Sequence, residues 1–96
     1  MQLELRFFAS FREAAGSKTV EWETRDGLTI GELMQDLTDE YGMDLFEEDG
    51  EIRDFITVMR NGQDITHIDG LETTLSDGDR ISVFPPVAGG GADQQQ

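Results

Sequence analysis

The residues with the clearest chemical potential in this sequence are the glycines near its end. Gly89 and Gly90 follow two consecutive prolines, Pro85 and Pro86, which lack the backbone N–H that a sheet ladder needs and which hold the chain in an extended path. Because glycine has no side chain, a diglycine segment fits a slot too narrow for any other residue. This pattern indicates chemistry at a glycine carboxylate, which the six residues Gly91–Gln96 would block.

The same glycines also have a purely structural interpretation. Three consecutive glycines are typical of a flexible linker that leads into an irregular tail, and such linkers occur in many proteins. The proline pair, separated from the glycines by Val87 and Ala88, favours the reactive tail, because a stiff segment would hold the glycines clear of the body of the protein.

The sequence offers no catalytic apparatus of its own. It has no cysteine and a single histidine, His67, so nothing supports a pair of nucleophile and base. It also lacks the glycine-rich lysine segment that binds nucleotide phosphates. The aspartates near His67 are too scattered to predict a metal site. We therefore expect a protein that is not an enzyme, has no catalytic residue and binds no metal or cofactor.

Charge limits the partners that this chain could bind. Its 96 residues include 21 acidic and 7 basic side chains, which give a net charge of −14 at pH 7. Nucleic acid and anionic membranes would repel such a surface, so neither is an expected partner. At molar salt the Debye length is about 3 Å and repulsion within the protein is largely screened, so the composition favours a protein of a high-salt cell. An ordinary acidic protein with a well-solvated surface is the alternative.

Length and hydropathy predict one small domain in the cytoplasm. A chain of 96 residues is large enough for a single core. No apolar run approaches the ~20 residues that span a bilayer, and the first residues do not resemble a secretion signal.

Periodicity predicts the elements that would position the tail. Thr29 and Glu32 have the spacing of a capping box and begin a helix that is expected to end at Gly42. Its apolar side chains share one face, and they are Ile30, Leu33, Met34, Leu37 and Tyr41. Residues 9–15 could form a short helical turn, and strands are predicted at 3–8, 18–24, 55–60, 63–66 and 80–84, with a hairpin turn at Asn61-Gly62. The order ββαβββ predicts an α+β domain in which the helix packs on one face of a mixed sheet.

Alternation in the strands predicts which apolar residues face away from the core. Ile81 and Val83 occupy the inward positions of the last strand, so Phe84 is expected to point outward beside the tail, where an aromatic ring would suit partner docking. Phe8 and Met59 are further candidates for the open face of the sheet, and for Met59 a core position is an equal alternative.

Three sequence segments together resemble a known family. They are Leu5–Glu13 (LRFFASFRE), Val58–Gly62 (VMRNG), and Asp77–Asp79 (DGD) followed by Phe84–Gly90 (FPPVAGG). In this order they resemble the ubiquitin-like β-grasp superfamily, and within it the MoaD-type sulfur carriers and the small archaeal modifier proteins, in a haloarchaeal-looking version. The resemblance implies a mixed four- to five-stranded sheet packed on one main amphipathic helix. Residues 1–87 would form this domain, and 88–96 a flexible tail with the diglycine at 89–90 and a six-residue extension.

The resemblance also implies a mechanism. An E1-like enzyme would use ATP to adenylate the carboxylate of Gly90, with Gly89 in support. The activated tail would then form an isopeptide bond with a lysine of a target protein or become a thiocarboxylate. Phe84, Pro85 and Pro86 would form the stalk and dock the partner. Lys18, the sole lysine, is a possible acceptor for a chain of modifiers, although a solvated surface cation is the plainer interpretation.

The extension beyond Gly90 leaves other functions open. A metalloprotease of the deubiquitinase type could remove Gly91–Gln96 and so activate the protein. One alternative function is the small, MoaD-like subunit of molybdopterin synthase, whose tail would enter a MoaE-like partner. Another is a non-covalent β-grasp interaction module whose carboxylate stays blocked. In each case we expect a monomer.

Overall fold

Five strands and two α-helices form along residues 1–86, the part of the chain that the computed structural model describes. The strands are β1 (Gln2–Phe7), β2 (Thr19–Glu23), β3 (Thr57–Arg60), β4 (Gln63–Asp64) and β5 (Arg80–Phe84). The helices are α1 (Ser10–Ala15) and α2 (Ile30–Tyr41), and two short 3₁₀ turns lie at Ile65–His67 and Gly70–Glu72. None of the helices in this part of the chain is both long and apolar enough to cross a membrane.

The strands form one mixed sheet in the order β2-β1-β5-β3-β4. β1 and β5 are parallel neighbours at its centre, and the other pairs are antiparallel. This confirms the mixed sheet predicted from the sequence, with five strands. It places the last strand between two partners rather than at an edge.

Helix α2 forms as its local signals predict. The Thr29 amide donates to Glu32 Oε1 at 3.0 Å, and the Glu32 amide donates to Thr29 Oγ1 at 3.2 Å, which completes the capping box. Gly42 ends the helix with a φ of 70°, a conformation that glycine adopts without steric cost. The buried helical side chains are Ile30, Leu33, Met34 and Leu37, while Tyr41 is half-buried. They pack against the inward residues of the sheet, which include Leu3, Leu5, Phe7, Val58, Ile81 and Val83.

The predicted hairpin is also present. Asn61 and Gly62 have φ values of 53° and 85°, the positive angles of a two-residue type I′ turn between β3 and β4. The turn is also tied to β5, because the Asn61 amide donates to the Arg80 carbonyl at 2.8 Å and the Arg80 amide donates to Asn61 Oδ1 at 2.9 Å. The hairpin therefore fixes the start of the last strand.

The return strand of this hairpin is shorter than the predicted range 63–66. Asp64 Oδ1 accepts hydrogen bonds from the Thr66 amide and the Thr66 hydroxyl, both at 2.9 Å. This side chain caps a 3₁₀ turn and takes an amide that a longer ladder would need. The strand consequently ends at Asp64.

The predicted start of β3 at Phe55 is wrong. The Ile56 amide donates to the Arg53 carbonyl at 3.4 Å, so Arg53–Ile56 forms a turn, and its third residue, Phe55, has a φ of 69°. A positive φ at this position is the mark of a type II turn, where glycine or asparagine is preferred. A bulky L-residue in such a conformation costs about 1–2 kcal/mol. The strand begins two residues later, at Thr57.

Candidate functional site at the carboxyl end of strand β5

Strand β5 delivers the chain to the end of the sheet where the tail begins. It is hydrogen-bonded to β1 on one side and β3 on the other, and its last residue, Phe84, pairs with Thr57. Pro85 is half-buried and Pro86 is exposed, so the chain leaves the sheet surface at the second proline. Gly89 and Gly90, like the predicted domain boundary after residue 87, lie outside the described residues.

Two aromatic rings stack at this end of the sheet. Phe8 follows β1 and Phe84 ends β5, and because Phe7 pairs with Val83 in parallel register, the next residues lie side by side. The ring centroids of Phe8 and Phe84 are 4.2 Å apart and their planes differ by 11°. Both side chains are half-buried, and they lie on the face opposite the fully buried Val83. The predicted outward orientation of Phe84 is therefore confirmed.

Met59 joins the same face. It pairs with Ser82 on β5, and it alternates with Val58, which is buried in the core. The sequence left a core and an outward position open for Met59, and the structure places it outward and half-buried. We call the surface that carries Phe8, Met59 and Phe84 the outer face.

The outer face also carries charge. Arg80 Nε donates to Glu4 Oε2 at 3.1 Å, and Arg6 Nε is 3.8 Å from the same oxygen. The Nε of Arg6 has no hydrogen-bond partner among residues 1–86. The apolar side chains of the outer face thus lie beside two arginines, which share the carboxylate of Glu4. Such a mixture suits docking of a partner protein better than it suits catalysis.

A buried carboxylate fixes the start of β5 and was missed as a site residue in the sequence. Asp79 accepts hydrogen bonds from Arg60 Nε at 2.7 Å, the Ser76 amide at 2.8 Å and Asn61 Nδ2 at 3.0 Å. Burial by itself would raise the pKa of Asp79, but these bonds, that of Arg60 first, outweigh it and hold the pKa below its usual value. The signal available was an aspartate directly before an apolar strand, within the Asp77-Gly78-Asp79 motif.

The two primary amines of the chain have different surroundings. The α-amine of Met1 donates to the Thr24 carbonyl and is 3.4 Å from Asp26 Oδ1. Lys18 is exposed and forms no ion pair with any residue in the range 1–86. Its carbonyl accepts a 2.9 Å bond from the Phe7 amide, which places Lys18 at the same end of the sheet as Phe8. The Lys18 amine is therefore the more accessible of these two amines.

Comparison with known proteins decides the family. Residues 5–90 match the ThiS family, a range that covers most of the chain and ends at the second glycine of the pair. The chain belongs to the ThiS family. Over 92 residues this ThiS-family chain is 48% identical to small archaeal modifier protein 3 of Haloferax volcanii, with 94% of this chain and 100% of the relative covered.

Other relatives of this ThiS-family chain include a sulfur carrier and a solved structure. Sulfur carrier protein CysO of Mycobacterium tuberculosis is 32% identical over 81 residues, with 78% of this chain and 83% of the relative covered. The crystal structure of small archaeal modifier protein 1 from Haloferax volcanii matches with a TM-score of 0.79 and 33% identity, covering 94% of this chain and 100% of that one. These similarities confirm the predicted β-grasp fold and the predicted likeness to haloarchaeal modifiers and sulfur carriers.

Proposed function

We propose that this chain is a ubiquitin-like protein modifier and sulfur carrier that reacts through the carboxylate of Gly90. The observation that carries the proposal is the family match itself, which ends at residue 90, immediately after the glycine pair that follows the Phe84–Pro86 stalk. Relatives named as modifier proteins and as sulfur carriers support both uses of the tail. The protein would act as a monomer in the cytoplasm, as a substrate of other enzymes.

The chemistry needs an activated carboxylate. An E1-like enzyme would join the Gly90 carboxylate to the α-phosphate of ATP and release pyrophosphate. The amine of a target lysine would then attack the acyl carbon, form an isopeptide bond, lose a proton and expel AMP. Hydrosulfide that attacks the same carbon would instead expel AMP, lose a proton and leave a thiocarboxylate. The adenylating enzyme supplies the nucleotide site, so this chain has only to present the tail and a surface to hold.

The outer face is the surface that we propose the adenylating enzyme binds. Phe8 and Phe84 stack at the start of the stalk, directly before Pro85, so a partner that covers the rings would also position the tail. The same surface would serve a MoaE-like synthase subunit, which would insert the tail into its own site. A stable complex of that kind, in cells without conjugates, would favour the synthase subunit over the modifier.

Loss of the Phe84 ring should weaken partner binding. A Phe84→Ala variant is expected to bind its adenylating enzyme roughly tenfold more weakly, the effect of removing a central aromatic anchor. Titration calorimetry measures the dissociation constant, and circular dichroism checks that the variant folds. Glu40→Ala, an exposed position on helix α2, which packs on the opposite face of the sheet, is the matched control and should bind normally. Unchanged affinity in a folded Phe84→Ala variant would remove the outer face from the proposal.

Intact mass spectrometry of the untagged protein from its own cells tests the proposal directly. We expect a species that ends at Gly90, after removal of Gly91–Gln96 by a metalloprotease of the deubiquitinase type, and a fraction in which one oxygen is replaced by sulfur. A population that retains Gly91–Gln96 throughout would contradict the proposal and favour a non-covalent binding module.

The same sample tests Lys18 as an acceptor. Trypsin cleaves after Arg80, the last basic residue, so a conjugate would leave residues 81–90 (ISVFPPVAGG) as a branch on the acceptor lysine. We expect this branch on lysines of other proteins, and on Lys18 wherever modifiers form chains. Chains detected without a Lys18 branch would exclude Lys18 as the acceptor.

A further inference from the structure

Phe55 is an aromatic residue that the domain itself does not use. It is 84% exposed, the one large apolar side chain so exposed within residues 1–86, and it is absent from the cluster that packs around the core. Its φ of 69° is one that glycine adopts freely and that phenylalanine adopts at a cost. The exposed ring makes no packing contribution to the core that would offset this cost. Backbone strain of this kind persists most often where function needs it.

The position of the turn relates it to the tail. Thr57, two residues after Phe55, pairs with Phe84, the last residue of β5. The Arg53–Ile56 turn is therefore at the same end of the sheet as the stalk, and it directly precedes β3, the strand next to β5. An enzyme that grips the tail at Pro85 will have its surface close to this turn.

The surroundings of Phe55 are acidic. Arg53, the basic residue of the segment 44–56, already binds Asp44 Oδ1 at 2.9 Å and Glu47 Oε1 at 3.1 Å. The remaining carboxylates of this segment form no ion pair within residues 1–86, and they line a shallow depression beside the turn: Glu48, Asp49, Glu51 and Asp54. The charge complement of this surface is a basic one.

We propose that Phe55 is a second docking anchor, and that it receives an arginine or lysine side chain from a basic surface of the adenylating enzyme. The cation would lie over the ring face, with the free carboxylates around it. This inference rests on the proposed function, because it takes the occupant to be the enzyme that activates the tail.

Salt explains why a ring would be needed among so many carboxylates. At molar salt the Debye length is about 3 Å, so attraction between separated charges is largely screened. A cation in direct contact with an aromatic face interacts at shorter range and also buries apolar surface. An exposed ring in an acidic segment therefore supplies binding that the carboxylates alone would lose in a high-salt cell.

The test is ATP–pyrophosphate exchange by the purified adenylating enzyme from the same cells, with the chain ending at Gly90 as substrate at molar potassium chloride. Phe55→Gly is expected to raise KM roughly tenfold with kcat unchanged, because it removes the ring but leaves the tail intact. It should also raise the midpoint of thermal unfolding by about 4–8 °C, because glycine relieves the positive φ, and the entropy that glycine adds to the unfolded chain offsets only part of this gain. Phe55→Tyr keeps the ring face and should keep the KM of the wild type, whereas Phe55→Leu, which keeps only apolar bulk, should not.

The outcomes separate this inference from the function on which it rests. If the unsubstituted chain supports no exchange, the proposed function fails. If it supports exchange and Phe55→Gly has an unchanged KM, the function stands and the anchor is excluded. A Phe55→Gly variant that is less stable than the wild type would show that the ring stabilises the fold, which would contradict the proposal. A Phe55→Leu variant with the KM of the wild type would exclude a bound cation.

Discussion

A chain that ends at Gly90 is expected to be adenylated at least about 100-fold faster than a chain that ends at Gly89. Each extended residue adds about 3.3–3.6 Å, so removal of Gly90 withdraws the carboxylate by that distance from a nucleotide whose position the enzyme fixes. In the proposed complex the domain would not follow, because the outer face would hold it on the partner. A misplacement of about 1 Å can already cost a reaction about 100-fold.

Pyrophosphate exchange with the adenylating enzyme measures both rates. The chain that ends at Gln96 is the blocked control and should support no exchange, because it presents no glycine carboxylate. Adenylation of this uncleaved chain would contradict activation by processing. Equal rates for the chains that end at Gly89 and Gly90 would contradict positioning by tail length.

Asp79→Ala should destabilise the domain by about 3 kcal/mol, the second large effect we expect. The substitution leaves Arg60, Asn61 and the Ser76 amide without their shared acceptor at a buried site. For a domain of this size, the midpoint of thermal unfolding should fall by about 12–24 °C. Asp69→Ala is the matched control, since Asp69 is exposed and its side chain makes no capping bond, and it should change stability by less than about 0.5 kcal/mol.

Acid unfolding provides an independent measurement on Asp79. Its pKa in the folded protein lies below that of an unfolded aspartate, about 3.9, so the unfolded state binds more protons between the two values. The stability contributed by this group is therefore present above about pH 4 and is lost as the pH falls through the folded pKa. The free energy of unfolding of Asp79→Ala should decline less steeply below about pH 4 than that of the wild type. Parallel declines in the two proteins would show that Asp79 is not responsible.

The elements that could be predicted from the sequence are those specified by neighbouring residues. Residues a few positions apart determine three of these elements: the Thr29–Glu32 capping box, the apolar face of α2 and the Asn61-Gly62 turn. The outward position of Phe84 follows from alternation within one strand. These local patterns predicted an α+β domain with one helix on a mixed sheet, and the resemblance to known carriers supplied the β-grasp fold and pointed to the candidate site.

The features that escaped prediction depend on contacts between distant residues. Stacking of Phe8 on Phe84 requires the parallel pairing of the first and last strands, which no local pattern encodes. The acceptor role of Asp79 requires Arg60 and the hairpin to lie beside it. The turn at Phe55 is different, because its positive φ contradicts the preference of phenylalanine, whose place in a β-rich segment predicts a strand.

The central place of β5 has a mechanical consequence. The strand that carries the tail is hydrogen-bonded along both edges, and its neighbour β1 runs parallel to it. A pull applied at the tail therefore runs along the strand axis and strains the bonds of both ladders together in shear, instead of opening them one after another as a peel from an edge would. The tail is thus attached to one of the parts of the domain best placed to bear a load.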